Sequence, residues 1–169
     1  MTESQQATLL VTGGTGYIGS HTVVELLETE GYCGFSKIVI VDDLSNSSAV
    51  CLERMQEITG KVDSMVVFRQ IDICDEAKLE EVFVEFAPIK SVVHFAGLKA
   101  VGESVRIPLR YYENNVGGTV SLLNCMLRNN CKNIVFSSSA TLYGEQEDCT
   151  EDKPIRPTNP YGQTKAMIE

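Results

Sequence analysis

Short apolar runs alternate with stretches of helical periodicity along almost the whole chain. Ala7-Thr8-Leu9-Leu10-Val11 opens as a strand. Tyr17 to Glu30 then carries Ile18, Val23, Val24, Leu26 and Leu27 on one helical side, and Gly31 marks its end. Lys37-Ile38-Val39-Ile40-Val41 reads as a second strand. Polar Leu44-Ser45-Asn46-Ser47-Ser48 follows as loop and cap, before a helix from Ala49 to Thr59 stopped by Gly60. Ser64 to Ile71 predicts a third strand, Asp72-Ile73-Cys74-Asp75 a loop and cap, and Glu76 to Phe86 a third helix ahead of Pro88. Lys90 to Phe95 is a fourth strand, Leu109 to Asn129 a long helix, and Lys132 to Ser137 a fifth strand.

The strands are apolar nearly throughout rather than alternating. That is the signature of a parallel sheet covered by helices on both faces. Right-handed crossovers leave a doubly wound α/β fold, the Rossmann type, as the simplest topology. Its ligand crevice lies outside the carboxyl ends of the strands. Gly13, Asp42, Asp72, Phe95-Ala96-Gly97 and Ser137-Ser138-Ser139 all fall there. The 169 residues fit one domain without repeats or linkers.

Thr12-Gly13-Gly14-Thr15-Gly16-Tyr17-Ile18-Gly19 sits between the first strand and the first helix, the context that a glycine-rich dinucleotide loop requires. Gly13 permits the tight turn, Gly16 lets the backbone approach a pyrophosphate, and Gly19 lets the helix pack closely. The helix N-terminus then offers free N–H groups to the phosphates. Asp42 closes the second strand about twenty residues on, where a carboxylate accepts hydrogen bonds from ribose hydroxyls and repels a 2′-phosphate. NAD is therefore expected in preference to NADP.

A formal net charge of −9 and a pI near 4.7 argue against a nucleic-acid partner. No segment is long and apolar enough to span a membrane. Met1 to Gln6 is polar and carries Glu3, unlike a signal peptide, so a cytoplasmic location is expected. The six cysteines form no Cys-x-x-Cys pair and read as free thiols. His21 and His94 belong to no metal-type cluster and read as structural.

Tyr161 and Lys165 stand four residues apart behind Pro157 and Pro160, on one face of a helix. An adjacent ammonium favours the phenolate form of a tyrosine, which makes it a usable general base. Ser139, at the end of the fifth strand, is placed to hydrogen-bond a substrate hydroxyl or carbonyl.

With these motifs together, the chain resembles the extended short-chain dehydrogenase/reductase family and, within it, the nucleotide-sugar 4-epimerases acting on UDP-glucose and UDP-galactose. The resemblance covers residues 8–169. It rests on the loop running from Thr12 to Thr22, on His94-Phe95-Ala96-Gly97-Leu98-Lys99-Ala100-Val101-Gly102-Glu103-Ser104-Val105, on Phe136 to Gly144, and on Asn159-Pro160-Tyr161-Gly162-Gln163-Thr164-Lys165. Related dehydratases usually carry a Thr-Asp-Glu type sequence where this chain has Ser137-Ser138-Ser139.

The resemblance implies NAD as cofactor and a UDP-sugar as substrate. Tyr17 and Ile18 would cover the pyrophosphate. Asp42, Asn46 and Ser47 would hold the adenosine ribose and nearby phosphate, and Asp72 and Ile73 would bracket the adenine. Phe95, Ala96, Gly97 and Lys99 would line the cofactor path, with Asn114 reaching it from the long helix. Tyr161 would be the base, Lys165 its electrostatic partner and a holder of the nicotinamide ribose, and Ser139 the third member. It further implies a homodimer for the complete protein, and chain beyond Glu169 that supplies a further strand and the domain gripping the uridine diphosphate. Without that part, the 169 residues are expected to be a poor epimerase. A nucleotide-binding module without turnover, and a sugar-nucleotide dehydratase or other 4-epimerase, are the alternatives.

Overall fold

The computed structural model describes residues 7–29 and 34–169. Five parallel strands stand in the order β3-β2-β1-β4-β5. They are β1 (Thr8–Thr12), β2 (Lys37–Asp42), β3 (Val66–Gln70), β4 (Ile89–His94) and β5 (Asn133–Phe136). The register aligns their carboxyl ends: Thr12 pairs with Val41 on one side and with His94 on the other, and His94 pairs with Phe136.

Alternation along the buried strands divides the core in two. Leu9, Val11, Ile38 and Ile40 face a layer built from Val23 and Leu27 of α1 (Tyr17–Glu28), Met55 of α2 (Val50–Thr59) and Val62 of α3 (Val62–Met65). Leu10, Val39, Val41 and Val92 face the other way. There they meet Leu79, Val82 and Phe83 of α4 (Glu76–Glu85) and Leu122, Cys125 and Met126 of α7 (Gly118–Arg128). A sheet with apolar side chains on both faces has to be sandwiched between helices. The chain order reverses at β1–β4, which opens a crevice there.

Most expected boundaries fall within two residues. The expected helix stop at Gly31 lies outside the described residues, as does Cys33. The stretch expected as a strand from Ser64 to Ile71 begins differently: Ser64 and Met65 belong to α3, whose turn closes on the Lys61 carbonyl. Burial of Val62 in the α1–α2 layer fixes that turn and outweighs the β pattern.

The single helix expected from Leu109 to Asn129 is three pieces, preceded by α5 (Val101–Arg106). It starts at Pro108 in α6 (Pro108–Tyr111), passes through a π-helical turn at Tyr112–Gly117, and continues as α7. Ile107, in front of the proline, is held out of the helical region at φ −133° and ψ 58°. The wider π turn shifts the face of the helix and brings Asn115 inward. A 3-10 turn, Ala140–Tyr143, and α8 (Pro160–Ile168) complete the described chain.

Candidate active site

The glycine loop is shaped by backbone contacts that a side chain would destroy. Gly13 adopts φ +68°, and a Cβ there would lie 2.6 Å from the Ala96 nitrogen. A Cβ on Gly19 would lie 2.2 Å from the Gly13 carbonyl oxygen. On Gly16 it would meet only that same oxygen, at 3.3 Å, so Gly16 faces space rather than protein. Helix α1 begins at Gly16 with no side-chain cap, so the first-turn N–H groups point outward unpaired by a capping side chain. Tyr17 and Ile18 stand exposed at the mouth.

Asp42 locks this loop to β2. Its carboxylate accepts Thr15 N–H at 3.2 Å, Leu44 N–H at 3.0 Å and the Ser47 hydroxyl at 2.8 Å. With 7% exposure it still shows an edge to the cleft. Asp43, Ser45 and Asn46 line the cleft beside it, and Asp72 and Ile73 line it from beyond β3.

The opposite wall is α8. Asn159 caps it by accepting Gly162 N–H at 2.8 Å, with Pro160 in the first turn. Gly162 lets α8 lie against the 3-10 turn, where a Cβ would come within 2.8 Å of the Thr141 carbonyl oxygen. Lys165 is 6% exposed and donates from Nζ to the Ser137 carbonyl at 2.9 Å. Its ammonium also sits over the Phe136 ring at 4.6 Å and the Tyr161 ring at 5.9 Å. Burial pushes its pKa down to about 8.

One cleft thus gathers Gly13, Gly16, Tyr17, Ile18, Gly19, Asp42, Asn46, Asp72, Ile73, Phe95, Ala96, Gly97, Lys99, Asn114, Tyr161 and Lys165. Two residues singled out from the sequence are not on its wall. Ser47 turns its hydroxyl to Asp42 and Thr15. Ser139 caps the 3-10 turn, accepting Thr141 N–H at 3.2 Å and sharing a hydrogen bond with the Thr141 hydroxyl at 2.9 Å.

Sequence reasoning missed the residues behind the wall. Asn115 accepts Leu98 N–H at 2.8 Å and donates to the Leu98 carbonyl at 2.9 Å and to the Thr164 hydroxyl at 3.1 Å. Thr164 in turn donates to the Tyr161 carbonyl at 2.7 Å. The available signal is the pair Asn114-Asn115 inside an otherwise apolar helical stretch. Among the described residues no cluster of metal-ligating side chains occurs. No helix among them is long and apolar enough to cross a membrane.

The chain has relatives among known proteins. The family model described as GDP-mannose 4,6 dehydratase matches residues 10–169. UDP-glucose 4-epimerase of Bacillus subtilis (strain 168) is 56% identical over 163 residues, covering 95% of this chain and 45% of that protein. UDP-glucose 4-epimerase 2 of Arabidopsis thaliana is 53% identical over 163 residues, with the same coverage of 95% and 45%. The crystal structure of UDP-glucose 4-epimerase from Bifidobacterium longum, in complex with NAD+ and UDP, superposes with a TM-score of 0.86 at 49% identity, over 95% of this chain and 46% of that one. The chain therefore spans a little under half the length of the relatives it matches. It belongs to the GDP-mannose 4,6 dehydratase family, and within that family its similarity runs to the UDP-glucose 4-epimerases.

Proposed function

We propose that this chain forms the cofactor-binding and acid–base part of an NAD-dependent enzyme that interconverts UDP-glucose and UDP-galactose by reversible oxidation at sugar C4. The observation that carries this reading is the meeting of the glycine loop, the carboxylates beyond β2 and β3, and the Tyr161–Lys165 pair in one cleft. A loop whose Gly13 and Gly19 positions admit no Cβ, opening onto uncapped helix N–H groups, fits a pyrophosphate. Asp42, Asp43 and Asp72 at the far end disfavour a 2′-phosphate, hence NAD rather than NADP. NAD bound there would supply a reversible hydride acceptor at C4.

The remaining work falls to side chains of this chain. Tyr161 takes the proton of the sugar 4-hydroxyl at its Oη and later returns it. Lys165 supports the phenolate with its ammonium and reaches a ribose hydroxyl. Ser139, next to the lining Ser138, exchanges its Thr141 contact for the sugar oxygen. With the sugar turned to its other face, return of the proton from the Tyr161 Oη to the C4 oxygen would complete the inversion. The free thiols among the described residues suit a reducing, cytoplasmic compartment.

A module that binds NAD without turnover is the second reading. The engagement of Ser139 with Thr141 favours it. Two measurements separate the readings. Titration with NAD and NADP tests the cleft, and equal affinities would defeat the assignment of Asp42. Conversion of UDP-galactose, followed by a coupled assay for UDP-glucose, tests turnover in this chain and in an epimerase of full length that contains it. NAD binding with no turnover in either leaves the module.

A further inference from the structure

Behind the cleft lies a buried histidine that the proposed chemistry does not use. His94, 1% exposed, closes β4 between β1 and β5. Its Nε2 lies 2.9 Å from the Thr119 hydroxyl, and that hydroxyl donates to the Asn115 carbonyl at 2.6 Å. A hydroxyl carries one proton, and a carbonyl only accepts. Thr119 is therefore the acceptor towards the ring, and Nε2 carries the hydrogen. On the other side Nδ1 lies 2.6 Å from the Thr12 hydroxyl, whose oxygen is also approached by Ala96 N–H at 3.4 Å. Among the described residues Nδ1 is the acceptor available to that buried hydroxyl proton, so Thr12 donates to Nδ1. The hydrogen bonds run in one direction, from Ala96 through Thr12, His94 and Thr119 to the backbone of Asn115.

We infer that His94 is a positioning residue, held as the neutral Nε2–H tautomer, which ties the cofactor-loop backbone at Ala96 to the π turn that sets Asn115. Asn115 in turn grips Leu98 and, through Thr164, the Tyr161 turn. The ring thus backs the connection between the two walls that Asn115 makes directly through Leu98 and Thr164. Protonation of Nδ1 would remove the acceptor for Thr12 and leave its buried hydroxyl proton without a partner. The surroundings oppose it as well. β1, β5 and α7 present Thr12, Phe136 and Thr119 to the ring, and α8 presents the Lys165 ammonium. Burial, with Lys165, pushes the His94 pKa down to about 4.

The connection to the cleft rests on the reading of the cleft given above, whereas the tautomer does not. Long-range ¹H–¹⁵N spectra of the chain report the tautomer directly, without cofactor. The expected result is a protonated Nε2, an unprotonated Nδ1, and no titration of His94 above pH 5. Thr119→Ser keeps the hydroxyl and should preserve this spectrum, the slow exchange of the Ala96 and Leu98 amides, and NAD affinity to within about twofold. Thr119→Val removes the acceptor. It should give mixed tautomers, faster exchange of both amides and NAD binding weakened about tenfold. A protonated Nδ1, a midpoint near 6.5, or equal behaviour of the two variants would overturn the inference. If wild-type chain shows the expected tautomer but binds no NAD, the reading of the cleft fails and the relay stands as architecture alone.

Discussion

β1 and β5 flank the same strand, β4, yet they are built on different principles. All five residues of β1 are buried, and its side chains fill both core layers. On β5, Asn133, Ile134 and Val135 are exposed, with Val135 at 64%. The glycine loop hangs from β1 and is fixed by backbone proximity on a packed frame. The Tyr161–Lys165 helix lies with Gly162 against the 3-10 turn, and its other anchors are single polar ties: Lys165 to Ser137, Thr164 to Asn115, Gln163 to Tyr112. Steric fit fails gradually when the frame relaxes. A lone buried hydrogen bond is either made or lost, and losing it strands a polar group at a cost of about 1–3 kcal/mol. The reactive wall thus depends more on its immediate ties than the glycine loop does, while the cofactor side answers to distant changes through the His94 relay at Ala96.

The sharpest way to separate the two walls is Tyr161→Phe in an epimerase of full length. The ring keeps its packing and loses only the proposed proton acceptor. NAD binding and thermal stability should stay near wild type. Turnover should fall by about 100- to 10,000-fold, the range for general acid–base groups. Retention of most activity would move the base to another residue and dissolve the distinction between the walls.

A second break uses pH. His94, with a pKa lowered to about 4 by burial, is neutral in the folded chain through a window where an unfolded histidine, near 6.5, is protonated. The unfolded state then binds more protons, so stability should be fully present above about pH 6.5 and fall as pH drops towards about 4. A shift of this size corresponds to roughly 3 kcal/mol. Lys165, lowered to about 8, has the same sign in another window: stability should rise between about pH 8 and 10.5, as the folded ammonium gives up its proton first. Over that same rise the ammonium beside Tyr161 disappears, so turnover should decline while stability improves. Urea unfolding across both windows, compared with His94→Gln, checks this. An acid slope that His94→Gln leaves unchanged would assign the loss to the carboxylates.

Gly19→Ala probes the frame itself. The added methyl would sit 2.2 Å from the Gly13 carbonyl oxygen, a backbone atom with no freedom to swing aside. The loop has to shift, at an overpacking cost of about 1–3 kcal/mol. NAD affinity should fall with it, because the displaced backbone is the proposed phosphate cradle. Thermal unfolding and an NAD titration on the same sample test both parts. Unchanged affinity would show that the loop tolerates displacement and that Gly19 serves only the helix.

The same contrast explains what was legible in the sequence. Strands β1, β2 and β4, the glycine loop and the position of Asp42 announce themselves through local pattern, because burial on both faces demands unbroken apolar runs and tight turns demand glycine. The helical turn at Ser64 and Met65 was hidden because its cause is non-local: Val62 is buried against α1 and α2. The π turn was hidden because one wide turn leaves the hydrophobic periodicity on either side intact. Its product, inward Asn115, depends on Leu98 and Thr164, which lie far away in sequence. Ser47 was expected to hold the cofactor, yet its hydroxyl turns to Asp42 and Thr15, an orientation that depends on where Thr15 stands in the fold.

The smallest effect gives the cleanest test of β1 against β5, because the same chemical change can be made on both strands. Valine to threonine conserves shape and replaces one methyl by a hydroxyl. At Val11, fully buried between α1 and the sheet, that hydroxyl loses water without a designed partner, and the expected loss is about 1–3 kcal/mol. At Val135 most of the side chain is already in water, and threonine suits a strand as well as valine does. The expected change there is within about 0.5 kcal/mol, ordinary for an exposed position. Chemical denaturation of the two variants in this chain gives the difference directly. If Val135→Thr proves as costly as Val11→Thr, the outer face of β5 is covered in solution, and the contrast between the two strands is lost.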